Sequence, residues 1–111
     1  MKRLEAICDA VAYSHGYFEP ESEAYELRNP GLLLGDDGKR IFSCHKAGYA
    51  ALFDRVQKDC RTHPDASLSW LLDSFGIKMK MQKEHAIDYI ARCANSNGLK
   101  LETPLKWFID A

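Results

Sequence analysis

The sequence of 111 residues lacks three features that mark common classes of protein. No apolar run approaches the ~20 residues that a membrane-spanning helix needs. No pair of cysteines has the C-x-x-C spacing of a zinc knuckle. Neither sign of charge is in excess, because 15 lysines and arginines face 16 aspartates and glutamates. Since nucleic-acid binding requires a positive surface, we expect no nucleic-acid partner. Because no long apolar run is present, we also expect no membrane partner.

The cysteines are scattered along the chain at Cys8, Cys44, Cys60 and Cys93. The first residues lack the apolar core of a signal peptide, so we expect synthesis in the cytoplasm, where thiols stay reduced. We accordingly expect no disulfide framework, no bound metal and no cofactor. Cys44-His45 and Cys60-x-x-His63 leave fragments of a zinc site as an open alternative.

The length suits one domain covering residues 1–111, because so short a chain has no room for a second hydrophobic core. Its charge is unevenly spread. Residues 1–38 hold three basic and eight acidic side chains, a net charge of −5, so the remainder carries +4. The acidic third suits a solvated loop or a surface that attracts a cationic partner.

Apolar residues recur at helical spacing in several segments. The i, i+3, i+4, i+7 repeat from Leu4 to Val11 predicts an amphipathic helix over 3–14 that stops at Gly16. Acids and two prolines in 17–30 predict an irregular loop with one helical turn. Further helices are predicted over 45–61, after the cap Ser67 and as far as Gly76, over 84–97, and after the cap Thr103 and Pro104. Residues 78–81 suit either a strand or the start of the next helix.

Residues 32–44 change period. Apolar segments at 32–34 and 40–44 flank Gly35-Asp36-Asp37-Gly38, a typical turn sequence. This pattern predicts a small β-hairpin, which must lean on the helices because two strands alone are marginally stable. The predicted fold is therefore mainly α (α+β), with about five helices and one small β-hairpin.

Several segments of the chain resemble those of a known family. They are AYSHGYFEP at 12–20, RNPGLL at 28–33, FS at 42–43, AGYAAL at 47–52, NGL at 97–99 and TPL at 103–105. In this order they are similar to segments of small phage and bacterial lysozyme-like proteins related to lytic transglycosylases. The resemblance covers most of the chain, and it implies a single lysozyme-like domain whose ligand is peptidoglycan or a related glycan.

The sequence departs from this family at one position. In the family, a glutamate at the end of the first helix donates a proton to the glycosidic oxygen. Aligning Gly16, Phe18 and Pro20 with the family's turn places His15 where that glutamate is expected. The resemblance therefore implies where a catalytic site would lie, but the acid that the family uses there is absent from this sequence.

A histidine fits glycoside cleavage poorly. The transition state carries positive charge on the sugar, and a glutamate becomes an anion after donating its proton. An imidazolium would add a second positive charge and end neutral. Burial would also lower the pKa of His15 and remove the proton before it is needed. His15 equally suits a structural role at the end of a helix, where the helix dipole favours it.

The candidate site residues lie around this helix end. Catalysis would fall to His15 or, as a substitute acid, to Glu19. Further acids in the same loop are Glu21, Glu23 and Glu26. The candidate ligand contacts are Tyr13, Tyr17, Phe18, Tyr25 and Asn29. The aromatic residues suit a hydrophobic core equally well. The lysines and methionines of 78–83 suit a solvated segment or an acidic partner.

We expect a degenerate lysozyme-like protein of phage or prophage origin that has lost glycosidase activity. Its old cleft or its surface would bind a glycan or a host or phage protein, as a virion component or as an inhibitor of a host protein. Whether it ends in the virion or in the host cytoplasm is left open. The alternative is an active peptidoglycan-cleaving lytic transglycosylase or muramidase with a relocated carboxylate. A metal or nucleic-acid module has little support.

Overall fold

A computed structural model describes residues 2–109, whose regular structure is six helices and one short hairpin. The helices are α1 (Arg3–Ser14), α2 (Glu23–Glu26), α3 (His45–Thr62), α4 (Leu68–Ser74), α5 (Lys80–Cys93) and α6 (Lys106–Ile109). The antiparallel strands are β1 (Leu34–Gly35) and β2 (Gly38–Lys39). The predicted mainly α architecture with one hairpin is confirmed. Of the helices within this stretch, none has the length and apolar character to cross a membrane.

Helix α1 lies at the centre of the hydrophobic core and packs against α3, α5 and α6. Its buried side chains are Ala6, Ile7, Cys8, Ala10, Val11 and Ala12. Three of these six side chains are alanines, so much of the buried face of α1 is small. The helix ends as predicted, because Gly16 adopts a φ of 74°, a left-handed conformation that costs glycine little.

Helices α3, α4 and α5 each bury one apolar stripe in the same hydrophobic core as α1. The buried residues are Leu52, Val56 and Cys60 of α3, Leu68, Leu71 and Leu72 of α4, and Ala86, Ile87 and Ile90 of α5. Full burial of one large apolar side chain stabilises a protein by roughly 1.5–3 kcal/mol. Burial along these stripes is therefore the main source of stability on the helical side of the molecule.

Helix α4 begins and ends at the predicted residues. The Ser67 hydroxyl accepts a hydrogen bond of 3.1 Å from the backbone N–H of Trp70, and Gly76 has a φ of 81°. The prediction that Thr103 caps the final helix is wrong. Its hydroxyl accepts instead from the backbone N–H of Lys100, and Pro104 forms an isolated bridge with Ser67.

Helix α5 lies four residues earlier in the chain than the predicted 84–97. The ambiguous residues 80 and 81 belong to it, so its first turn precedes Glu84. Its end comes early because Asn95 adopts a φ of 52°, well before Gly98. Asparagine is one of the few residues that take this conformation at small cost, and it ends helices much as glycine does.

The hairpin is shorter than predicted. It turns at Asp36-Asp37 as expected, but only two residues on each side pair, and the remainder of 32–33 and 40–44 is irregular. Leu32 has a φ of 47°, which bends the chain away from an extended strand. Both Leu33 and Phe42 are buried in the core. The hairpin is therefore held to the core by burial of these two side chains rather than by a longer ladder of backbone hydrogen bonds.

Helix α3 approaches the chain before the hairpin at a single glycine. A Cβ atom on Gly48 would lie 1.8 Å from the carbonyl oxygen of Arg28 and 3.2 Å from Cδ of Pro30. Backbone atoms cannot yield to such an overlap as a flexible side chain can. Gly48 therefore lets α3 fix the position of the segment that leads into the hairpin.

Candidate functional site

His15 lies where two surface grooves meet. It is the C-cap residue of α1, and both grooves are lined by His15 and Gly76. Among residues 2–109, the buried Nε2 atom of His15 has no hydrogen-bond partner. Burial lowers the pKa of His15, a hydrogen bond with the backbone of Phe75 partly opposes this, and the charge of Lys39 lowers the pKa further. Burial therefore favours the neutral imidazole over the imidazolium that an acid catalyst would need.

The first groove, which we call the aromatic groove, lies between the end of α1 and α5 and has a volume of about 690 Å³. Tyr13 and Tyr89 stack on its wall with ring centroids 5.4 Å apart. Tyr13 is 63% exposed, so its ring is accessible to a ligand. Phe18 lies 6.4 Å from Tyr13 and is also exposed. The groove has the size of known small-ligand sites.

Polar side chains of α5 complete the aromatic groove. They are Gln82, His85, Asp88 and Arg92. Their spacing of three or four residues places them on one helix face. Together they offer hydrogen-bond donors, acceptors and one charge of each sign. Sequence reasoning missed all four, although the regular spacing of polar residues opposite the apolar stripe was a usable signal.

The second groove, which we call the cationic groove, lies on the other side of His15 and has a volume of about 650 Å³. Its charged residues are Lys39, Arg40 and Arg55. Within the described chain, no acidic residue lines it. The guanidinium of Arg55 lies 4.9 Å from the centre of the Phe75 ring, and its Nε donates a hydrogen bond of 3.0 Å to Asp59.

Tyr17 and Tyr25 were predicted to contact ligand, but neither lines a groove. They form an aromatic cluster with His45 at the start of α3. The Tyr17 hydroxyl lies 2.8 Å from Nδ1 of His45, and the Tyr25 ring is centred 4.6 Å from the imidazole. Tyr17 is buried, and burial with the nearby Tyr25 raises its pKa. This cluster attaches the loop after α1 to α3.

Asn29 was also predicted to contact ligand, and its side chain is fully buried. Its Nδ2 donates to the carbonyl oxygens of Leu33 and Arg40 at 3.0 and 2.9 Å, and its Oδ1 accepts from the backbone N–H of Leu33 at 2.8 Å. With these bonds the amide spans the base of the hairpin. The structure therefore assigns Asn29 to positioning the hairpin rather than to lining a groove.

The predicted acidic residues of the loop after α1 do not line either groove beside His15. Glu19, the predicted substitute, is exposed and lines neither groove. Glu23 pairs with Lys39 at 2.5 Å. Among the described residues that line the two grooves, Asp88 is the one carboxylate. It is exposed and lacks the apolar enclosure that keeps a general acid protonated.

The cysteine and histidine pairs do not come together. Cys44 and Cys60 lie roughly 24 Å apart along α3, given a rise of 1.5 Å per residue. Burial raises the pKa of Cys8 and of Cys60 to about 12, so both thiols stay protonated. The pKa of the exposed Cys44 is lowered, chiefly by a hydrogen bond from the backbone N–H of Ala47. Between residues 2 and 109, no three metal-ligating side chains are placed to hold an ion.

The predicted basic segment at 78–83 is not a uniform patch. Lys83 is buried, and its Nζ lies 2.8 Å from Oδ1 of Asp73 and 2.9 Å from Oγ of Ser69. Lys83 therefore links α5 to α4, and the exposed surface of this segment consists of residues 78–82. Met79 and Met81 are each 65% exposed.

No protein-family model, no curated protein and no solved structure matches the chain. The likeness to lysozyme-like proteins therefore rests on the sequence segments quoted above. The two grooves and the chemistry of their side chains are the structural features that bear on what the protein does.

Proposed function

We propose that the chain is a non-catalytic, lysozyme-like binding protein of phage or prophage descent, and that the aromatic groove binds a glycan. Peptidoglycan or a related polymer of amino sugars is the ligand that the sequence resemblance implies. Binding of such a polymer suits a virion component. Binding of a protein at the same surface, as an inhibitor of a host protein would require, is the other candidate, and it predicts no binding of the glycan in the experiment below.

The aromatic groove carries the proposal. Sugar rings present apolar C–H faces and a rim of hydroxyl groups, so their sites combine aromatic rings with convergent hydrogen-bonding side chains. Tyr13 and Tyr89 provide accessible aromatic surface on one wall. Gln82 and His85 provide polar side chains on α5, where Asp88 adds an acceptor. No other described part of the surface combines these features beside His15.

The absence of catalysis follows from the chemistry at the helix end. A glycosidase needs a carboxylic acid that holds its proton until the glycosidic oxygen approaches. The burial of His15 favours the neutral imidazole, which has no acidic proton to give and no negative charge to stabilise the sugar cation. The order of the elements supports descent from a lysozyme-like ancestor: a helix ended by glycine, a loop, a hairpin and a long helix.

Binding is tested by titrating the isotope-labelled protein with tetra-N-acetylchitotetraose, a neutral amino-sugar oligomer, and following amide chemical shifts. We expect shifts around Tyr13 and Tyr89, and about tenfold weaker binding by Tyr13→Ala, a loss of about 1.4 kcal/mol. Trp70→Ala is the matched control, because Trp70 is 40% exposed and lies outside both grooves. Equal affinity of Tyr13→Ala and the wild type would contradict the proposal.

The same proteins distinguish binding from cleavage. Incubation with purified peptidoglycan, followed by mass spectrometry of released fragments, should show no release by the wild type. His15→Glu should release fragments, because it places an acid where the resemblance puts the family's glutamate. Release by the wild type that disappears in Glu19→Gln would favour the alternative, an active enzyme with a relocated carboxylate.

A further inference from the structure

We infer that the cationic groove is a second part of the same binding site and that it takes a carboxylate group carried by the glycan. The inference rests on the proposed function, which assigns the sugar rings to the aromatic groove. Together the two grooves would select an acidic glycan over a neutral one of equal length.

The groove has a positive charge that the protein itself does not neutralise. Lys39 is paired with Glu23, and Nε of Arg55 is bonded to Asp59. Arg40 has no ion-pair partner among residues 2–109. A guanidinium carries five N–H donors in a planar fork that matches a carboxylate. Of the donors of Arg55, only the one on Nε contacts an acidic side chain within the described chain. Arg40 is therefore the residue with the most unused capacity for an anion.

The hairpin holds Arg40 in place from both ends. Asn29 bonds the Arg40 carbonyl oxygen, which fixes the backbone. A Cβ atom on Gly35 would lie 2.9 Å from Cγ of Arg40, so the side chain runs directly across this glycine. The guanidinium carbon then lies 4.5 Å from the centre of the Phe42 ring. Stacking of this kind limits the freedom of the side chain, so less entropy is lost when an anion binds.

The two grooves are neighbours with a common wall. His15 and Gly76 line both of them. An extended polymer that lies against Tyr13 and continues past His15 reaches the cationic groove. Because the aromatic groove combines rings and polar groups while the cationic groove has three cations, successive parts of one ligand would meet different chemistry. A sugar chain that carries carboxylates meets both requirements.

The test compares two ligands that have the same sugar chain and differ in the charge of their carboxyl groups, which esterification removes at the cost of an added methyl group. They are a peptide-free tetrasaccharide of alternating N-acetylglucosamine and N-acetylmuramic acid, and the methyl ester of the same compound. We expect the free acid to bind wild-type protein about fivefold to tenfold more tightly than the ester, and the preference to fall in high salt because exposed charges are screened. Arg40→Gln should bind both with equal affinity. Arg61→Gln, an exposed arginine outside both grooves, should keep the preference.

Failure of this inference and failure of the proposed function give different results. Equal binding of acid and ester by the wild type, with both still weakened by Tyr13→Ala, overturns the carboxylate site and leaves the glycan groove. A preference for the acid that survives Arg40→Gln also overturns it, because the carboxylate is then recognised elsewhere. Binding of none of the acid, the ester and the neutral chitotetraose overturns both.

Discussion

The helical core and the loop–hairpin segment, residues 15–44, are held together by different means. In the helical core, stability comes from many interchangeable apolar contacts along α1, α3, α4 and α5. In the loop–hairpin segment, a few single groups hold the structure. Gly48 has no Cβ atom and so lets α3 contact the segment, the amide of Asn29 bonds its backbone, and the hydroxyl of Tyr17 lies within hydrogen-bond distance of His45. The comparison teaches that the cationic groove, which the hairpin helps to line, depends on the part of the molecule with the fewest redundant interactions, whereas the aromatic groove is lined mainly by residues of the helical core.

The largest effect on stability is expected from Gly48→Ala, which tests whether a single position controls the loop–hairpin segment. Helix propensity alone predicts that alanine stabilises α3 by about 1 kcal/mol. The overlap with the Arg28 carbonyl oxygen predicts the opposite, a loss of roughly 3 kcal/mol or more in the free energy of unfolding. Urea denaturation measures the difference. Ala50→Gly, on the exposed side of the same helix, is the control and should cost only about 1 kcal/mol. Stabilisation by Gly48→Ala would show that α3 does not fix this segment.

A smaller effect is expected from Asn29→Ala. The substitution leaves the carbonyl oxygen of Arg40 and the backbone N–H of Leu33 without the partner that Asn29 provides, whereas the Leu33 carbonyl oxygen still accepts from the backbone N–H of Arg40. A buried polar group without a partner costs about 1–3 kcal/mol. We expect a loss of roughly 2–3 kcal/mol in the free energy of unfolding, together with faster amide hydrogen exchange in the hairpin but not in α5. Asn97→Ala, at an exposed position, should change neither. Uniform acceleration of exchange across the molecule would contradict a role confined to the hairpin.

The smallest effect concerns His15, at the border of the two regions. Because burial lowers its pKa in the folded state, the unfolded chain binds more protons as pH falls below about 6.5. The free energy of unfolding should therefore decrease with falling pH until the folded protein also takes up the proton. One group contributes a slope of at most about 1.4 kcal/mol per pH unit.

Thermal unfolding at about pH 7.5 and pH 5 measures this contribution. His15→Gln should lose less stability than the wild type over that interval, because glutamine takes up no proton. His85→Gln, at an exposed position on α5, should follow the wild type. An identical pH dependence of wild type and His15→Gln would show that the protonated ring is accommodated without cost.

Periodicity predicted the helical core well and the loop–hairpin segment only in outline. The bounds of α1 and α3 follow from apolar spacing and from Gly16, because burial of a stripe is a sum over many residues and tolerates local exceptions. The end of α5 was missed because Asn95 takes a conformation that is more often assigned to glycine. Composition does not show which asparagine will do so.

The site was predicted in part for the same reason. Sequence segments pointed to His15, Tyr13 and Phe18. His15 and Tyr13 line the aromatic groove, whereas Phe18 lies beside Tyr13 and lines neither groove. The cationic groove was not predicted, because Arg40 and Arg55 are 15 positions apart and meet only through the packing of the hairpin on α3. Long-range placement of this kind leaves no periodic trace in a sequence.

The shared wall at His15 and Gly76 has a thermodynamic consequence. Any occupant of one groove that displaces this wall changes the affinity of the other groove, and by reciprocity each occupant alters the affinity of the other by the same factor. Two short ligands, one in each groove, would then bind with measurable cooperativity, whereas one long ligand would experience the coupling as a preference for a particular length.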